Sequence, residues 1–426
     1  MKKNFYAIAL ACLGLGNFAA QAQDQRAAPA DLTSTGMLPT RQCATMDVLE
    51  AQMAADPSLA KRMAAVERHT AQVLSGSAAN RITATVTIPV VVHVVYNTTA
   101  QNISQAQIDA QIKVLNDDFA KANADASLVP SAFAGVAAGT NVRFVLAKRD
   151  PSGAPTTGVI RKSTKTRSFS SNDFVKYSNK GGSDAWPASQ YLNLWFCNLG
   201  QGLLGYAQFP GGAAATDGVV CLYSSVPGGS ATNYNKGRTA THEVGHWLNL
   251  RHIWGDASCG NDLVADTPTQ QTSNGGCPTF PHVTCGNQGD MSMNYMDYTY
   301  DACMYMFTSG QSARMDALFT TGGSRASLLT SLGGTAPRMA ASNTFGSAAE
   351  VAMYPNPASN VLNLTLPQTT ASKAWSVQVY DLQGHQMKQA TYNGQGQVSV
   401  AQLPKGLYQM TLTNGEQTIR QRFEKQ

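Results

Sequence analysis

The spacing of apolar residues changes character several times along the chain. Lys2 and Lys3 precede an apolar run from Tyr6 to Leu15, and Ala20-Gln21-Ala22 follows as a small-x-small site. That order predicts an export signal over residues 1–22, with Cys12 inside it. Residues 23–80 are rich in Ala, Gln and polar residues, and a single helix is expected from Met46 to Val73. At Thr85–Tyr96 the pattern becomes a β-branched run that predicts a buried strand, with His93 as a packed core histidine. Ser104 to Gln107 forms a capping box, and Ile108, Ile112, Leu115 and Phe119 give the helix behind it one apolar face. Strands are expected at Val142–Ala147, Leu192–Cys197, Gly205–Phe209 and Gly218–Tyr223.

Beyond residue 253 the periodicity fades until a second capping box, Thr308 to Gln311, opens a helix reaching about Phe319. Residues 333–350 are small and polar, as in a linker. From Val351 the pattern is short and alternating, with strands expected at Val361–Leu366, Trp375–Tyr380, Gln397–Val400 and Leu407–Thr413. The fold class that follows is an α/β (α+β) domain with a mixed sheet, then a small all-β sandwich over residues 351–426.

Composition narrows the class. At 426 residues the chain is long enough for two or three folded units. A net charge of +5 without a block of like charge gives no footprint for nucleic acid. No apolar run after the signal is long enough for a transmembrane segment. Loss of Cys12 with the signal leaves seven cysteines in an exported protein. Cys259, Cys277, Cys285 and Cys303 cluster in an irregular stretch and read as two disulfides, with three possible connectivities. Cys197 and Cys221 are buried thiols or a third pair, and Cys43 stands alone upstream.

The chemistry lies in Thr241–Asp256, THEVGHWLNLRHIWGD. His242 and His246 are four apart, so a helix places both imidazoles on one face where one ion touches both. Glu243 stands beside the first as a candidate general base. His252 becomes a third ligand once the chain turns back. Three protein ligands leave a position open, the arrangement of a catalytic zinc. Histidine is scarce, 7 in 426, so the spacing is not a matter of composition.

This motif, with Asn249 where glycine is usual, resembles the metzincin zinc motif; Asn is the residue after Gly that best tolerates the left-handed turn needed there. Asn294-Tyr295-Met296-Asp297-Tyr298 resembles the Met-turn beneath such sites. With Gly182–Trp186, Tyr191–Trp195, Gly205–Ala207, Asp217–Val220, Asp266–Pro268 and the four cysteines, residues 85–325 resemble the pappalysin family, nearest its cytophagalysin-like and ulilysin-like members. The resemblance implies a secreted zinc endopeptidase hydrolysing polypeptides, made as a zymogen. Its domains would be signal peptide 1–22, propeptide 23–80, protease 81–332, linker 333–350 and C-terminal domain 351–426. It implies Glu243 as base, Tyr298 as the hydroxyl that stabilises the tetrahedral intermediate, and Met296 as the hydrophobic floor. It implies disulfides Cys259–Cys285 and Cys277–Cys303, and structural calcium at Asp262, Val264, Asp266 and Thr267. It also implies a cysteine switch at Cys43; an enzyme that prefers a basic residue after the cut could remove its own propeptide at Asn80-Arg81. Relatives hold a basic residue after the scissile bond with an acidic group near the last cysteine; here that neighbour is Ala302, and Asp301 is expected to substitute in the specificity pocket.

The last domain resembles the C-terminal sorting domain of the type IX secretion system of Bacteroidetes. The resemblance rests on Tyr354–Ala358, Val379–Gly384 and Leu403–Tyr408. It implies the secretion machinery as a partner and a secreted or surface-attached product. A catalytically inactive zinc-binding surface adhesin on the same fold is the alternative. Its sign would be loss of Glu243 or of a zinc histidine, and none is lost. A non-proteolytic zinc hydrolase is a third reading, against which argue the Met-turn and the match of Gly205–Phe209 to the edge strand that binds substrate in metzincins.

Overall fold

The computed structural model describes residues 41–76, 82, 84–337, 351–366, 374–414 and 418–426. The signal peptide, residues 23–40, the Asn80-Arg81 junction and linker residues 338–350 lie outside the described residues. The chain forms two compact units, one reaching Pro337 and one from Arg338 onward.

The first unit opens with two helices, α1 (Thr45–Ala55) and α2 (Ser58–Ser75), where the periodicity predicted one. Pro57 causes the break. A proline disfavours the helical region for the residue before it, and Asp56 sits at φ −135°, ψ 90°. The Asp56 carboxylate then accepts a bond from the Ser58 backbone N–H at 3.0 Å, starting the next helix.

The sheet has six strands: β1 (Val86–Tyr96), β2 (Val142–Leu146), β3 (Val159–Ser163), β4 (Leu192–Cys197), β5 (Gly205–Ala207) and β6 (Val219–Leu222). Their order is β2-β1-β4-β6-β5, with β3 also paired to β1. β1 is long enough to serve two partners in tandem, β2 along Val86–Val90 and β3 along Val92–Tyr96. Every pairing is parallel except the edge strand β5, which runs antiparallel to β6. The sheet is covered on both faces, which explains the unbroken apolar run of β1. Val90, Val92 and Val94 face one core with Leu194 and Phe196, together with Ile108, Leu115 and Phe119 of α3 (Gln105–Phe119). Val95, Trp195 and Cys197 face the other, with Tyr206 and Val220. His93 is the packed histidine expected: it stacks on Trp195 and bonds Ser183 and Asn193.

Besides one turn of helix at Ser131–Ala134, the later helices are α4 (Arg238–Trp247) and α5 (Ser309–Ala317); both capping boxes form as the sequence predicts. Between α4 and α5 lies the irregular stretch, tied by Cys259–Cys285 and Cys277–Cys303. Cys197 and Cys221 are free and buried, which closes the question of a third pair. Gly333 still belongs to the first unit, its carbonyl accepting from Lys148 N–H at 2.8 Å.

The second unit has two antiparallel sheets. One orders β7 (Ala352–Tyr354), β8 (Val361–Thr365), β11 (Gln397–Ser399) and β10 (Thr391–Tyr392); the other orders β9 (Ser376–Tyr380), β12 (Gly406–Thr413) and β13 (Thr418–Lys425). Leu362, Val398, Met410, Leu412 and Phe423 fill its core. Among the described residues no helix is long and apolar enough to cross a membrane.

Candidate metal centre and its lid

The active-site helix α4 is buried along its whole length. It ends at Leu248, and Asn249 takes the left-handed conformation, φ 69°, that the returning chain requires. The chain then doubles back, Leu250 N–H bonding Gly245 O at 2.9 Å, and His252 arrives beside His246.

The three Nε2 atoms converge. His246 Nε2 lies 3.2 Å from His242 Nε2 and 3.1 Å from His252 Nε2. Each ring is held through its other nitrogen: His242 Nδ1 on Tyr295 O (2.7 Å), His246 Nδ1 on Leu250 O (2.7 Å) and His252 Nδ1 on Asp256 Oδ1 (2.5 Å). A proton on Nδ1 leaves the Nε2 lone pair facing the centre. Burial pushes His242 and His246 well below the ordinary histidine range, so these rings are neutral acceptors. Neutral lone pairs pointed at one another repel unless a cation lies between them. Tetrahedral zinc with nitrogens at about 2.0–2.1 Å needs them about 3.3 Å apart, close to the spacing seen. The donor set fits a zinc ion.

Cys43 completes the cluster. Its sulfur and the three histidine nitrogens all lie within 4.8 Å of one another, the sole such group among the described residues. The segment carrying it lies on the sheet edge as an added parallel strand. Leu204 N–H bonds Gln42 O at 2.9 Å, and Ala44 N–H bonds Gly205 O at 3.1 Å.

Glu243 faces the same space. Its Oε2 accepts from Thr45 Oγ1 (3.0 Å) and is 3.4 Å from Cys43 Sγ. Burial raises its carboxyl to about 8, against the lowering effect of those bonds, and burial likewise raises the Cys43 thiol. Gly205 makes this approach possible, since a Cβ there would stand 2.9 Å from Glu243 Cγ and from Val220 O. Below the helix, Met296 Sδ would come within 2.4 Å of a Cβ at Gly245, so the methionine packs directly on bare helix backbone. Tyr298 OH stands 3.2 Å from His252 Nε2 and 3.4 Å from Cys43 O.

Asp301 is buried, and it is filled. Arg41 Nη2 pairs with Asp301 Oδ1 at 2.6 Å, with both side chains 1% exposed. The same guanidinium bonds Thr299 O and Thr239 Oγ1 and lies over the Tyr234 ring. Asp301 Oδ2 accepts from Lys236 N–H at 2.8 Å. Sequence reasoning assigned no role to Arg41 or Thr45; their signal was position, two residues either side of Cys43.

The expected calcium residues part company. Asp262 accepts from Thr267 Oγ1 and Val264 N–H, and Val264 O also accepts from Thr267, so three of the four share one turn. Asp266 instead accepts from Thr308 Oγ1, Ser309 Oγ and Gly310 N–H at the start of α5. There its carboxylate meets the helix dipole and the unpaired N–H groups of the first turn. In this structure it serves as a helix cap.

Residues 176–320 match a peptidase-family model described as pregnancy-associated plasma protein-A, and residues 352–426 match the secretion system C-terminal sorting domain. An extracellular metalloprotease of Arthroderma otae is 35% identical over 57% of this chain and 81% of its own length. Mature mirolysin of Tannerella forsythia, solved with a cleaved peptide, is 56% identical at a TM-score of 0.57, covering 58% of this chain and 97% of that one. A point mutant of promirolysin is 50% identical at a TM-score of 0.63, covering 68% of this chain and 97% of that one. The chain belongs to the pappalysin family of metalloproteases. As such it is a secreted or cell-surface protein, with a sorting tail for type IX export and a pro-form among its structural neighbours. The pro-form aligns with a larger share of the chain than the mature form does.

Proposed function

We propose that the protein is a zinc-dependent endopeptidase exported as a latent precursor. The observation that carries this reading is the convergence of His242, His246 and His252 beside Glu243, with Cys43 as a fourth donor. The three histidines would hold a zinc ion, which would supply Lewis acidity toward a peptide carbonyl and a water. Glu243 takes the proton from that water and passes it to the leaving amine. Tyr298 donates its hydroxyl to the oxygen on which negative charge develops. The outer edge of β5 offers main-chain groups at Leu204 and Gly205 to an extended polypeptide, the positions Gln42 and Ala44 take in the precursor. Asp301 binds a basic side chain, and Arg41 fills that place until the segment leaves.

In this reading the precursor is silent for two reasons at once. The Cys43 sulfur holds the metal position that water needs, and Arg41 and Gln42–Ala44 cover pocket and edge. Activation removes residues 23–80, with the new terminus at or near Arg81. Mature mirolysin with a cleaved peptide supports peptide hydrolysis as the reaction. The test is digestion of casein by the activated, zinc-loaded protein, with and without a zinc chelator. Hydrolysis that survives full zinc removal would refute it. Profiling with a peptide library should show Arg or Lys after the scissile bond; an apolar preference would remove Asp301 from the pocket.

A further inference from the structure

One buried contact engages the turn between His246 and His252 through residues other than the Cys43 segment. Asn249 stands midway between His246 and His252 and has φ 69°, where the pappalysin motif usually carries glycine. Unlike glycine, it has a side chain to give. Its Nδ2 donates to Glu67 Oε1 at 2.9 Å, and Glu67 lies on α2, in the segment assigned above to the propeptide. Arg314 of α5 closes the third side. Its Nη2 lies 2.9 and 3.0 Å from the two Glu67 oxygens and donates to Asn249 O at 3.3 Å. Asn249 and Arg314 are 3% and 4% exposed. A guanidinium that deep is costly without an anionic partner, and Glu67 is the carboxylate that pairs with it. Two residues further along α2, His69 Nε2 contacts Ala317 O and Thr320 Oγ1 just beyond α5, so this part of α2 is docked over several residues.

We propose that Asn249 and Arg314 form a carboxylate-binding site whose occupant is Glu67, a second anchor of the propeptide that grips the turn carrying the third histidine. Cys43 holds the segment at the histidine cluster, and Glu67 holds it at the turn. Asn249 presents its amide to Glu67 only when the turn has folded in its left-handed form. The anchor therefore engages a completed His246–His252 loop, and its release frees that loop as the propeptide departs. The proposal rests on the reading that the chain through Glu67 leaves on activation.

The test uses full-length precursors. Glu67→Ala should convert to the mature form about tenfold faster than wild type, the scale of a lost hydrogen-bonded charge pair. The mature product is the same polypeptide, so any change belongs to the precursor. In the non-cleaving Glu243→Ala background, Glu67→Ala should lower the precursor's Tm by several degrees. Glu67→Gln keeps an acceptor for Asn249 but not the charge, and should fall between. Asn249→Gly should add no further acceleration to Glu67→Ala, since the side-chain contact it removes is already lost with Glu67. Unchanged conversion and Tm in Glu67→Ala, or full additivity with Asn249→Gly, would overturn the proposal. A Cys43→Ala precursor that converts no faster than wild type, or a mature product that still contains Glu67, would instead overturn the latency reading; in the first case the Tm comparison still decides the anchor.

Discussion

Two segments touch the active-site helix from opposite sides, and they are built from opposite chemistry. The floor is Tyr295 and Met296, fully buried, with Met296 sulfur on the bare backbone of Gly245. The front is Arg41 to Thr45, which meets the site through a guanidinium, a thiol, a hydroxyl and main-chain bonds. Apolar contact has no good alternative in water, so a floor made this way is permanent. Each polar group of the front has a ready substitute in water, so that surface can be tight and still separable. The floor is also tied covalently: its chain lies between Cys285 and Cys303, and both cysteines are bridged.

The sharpest way to break this comparison is through the group both surfaces serve. Glu243→Ala keeps the three histidines and should fold and bind one zinc, yet lose peptidase activity by about 10³-fold or more. Its precursor should also stay unconverted when pure. Near-normal turnover would remove Glu243 from the mechanism, and conversion at Arg81 in isolation would show that the cut is made by another protease.

Arg41→Ala attacks the front alone. It leaves Asp301 buried without its guanidinium, which costs about 3–5 kcal/mol in comparable buried pairs. The precursor should melt lower and activate sooner, while the mature enzyme, lacking Arg41 in either case, should be unaltered. A precursor as stable and as latent as wild type would mean that Asp301 is satisfied by Lys236 N–H and water. Met296→Ala attacks the floor and should lower precursor and mature enzyme alike, by about 2–5 kcal/mol for a buried methionine truncation, whereas Met296→Leu should cost under about 1.5 kcal/mol. Thermal melts of both forms check this; a loss confined to the precursor would contradict a permanent floor.

The two sides also differed in how far the sequence revealed them. The floor and the histidine cluster were legible because their spacing carries their geometry. Residues four apart on a helix share a face, and a left-handed Asn249 turns the third histidine back. Arg41 was not legible, because its partner Asp301 lies 260 residues away and no local pattern joins them. Asp301 itself was found only through the family's acidic position near the last cysteine. The capping contacts of Asp266 were hidden for a related reason. It sits in an Asx-rich turn, yet its carboxylate caps a helix whose start is more than forty residues on. The break at Pro57 was written in the sequence and outweighed by the long helical period around it. Strand β13 was overlooked because Arg420, Arg422 and Glu424 interrupt its apolar positions, although the alternation that puts Phe423 in the core is present.

The smallest effect should come from Thr45, whose hydroxyl joins the front to both the base and the edge strand. It donates to Glu243 Oε2 at 3.0 Å and accepts from Ala207 N–H at 2.9 Å. Valine has nearly the same shape without the hydroxyl, so Thr45→Val keeps the packing of α1 and deletes these two bonds together with the 3.2 Å contact from Cys43 Sγ. In the precursor the Ala207 N–H then lies buried without an acceptor, and Glu243 keeps only the weak thiol donor. The loss should be about 1–3 kcal/mol of precursor stability and a several-fold gain in conversion rate. In the activated enzyme the substitution has left with the segment, so kcat/KM on a peptide should equal the wild-type value. A mature enzyme slower than wild type would show that α1 stays bound after the cut, and would move Thr45 from the front of the site into its permanent wall.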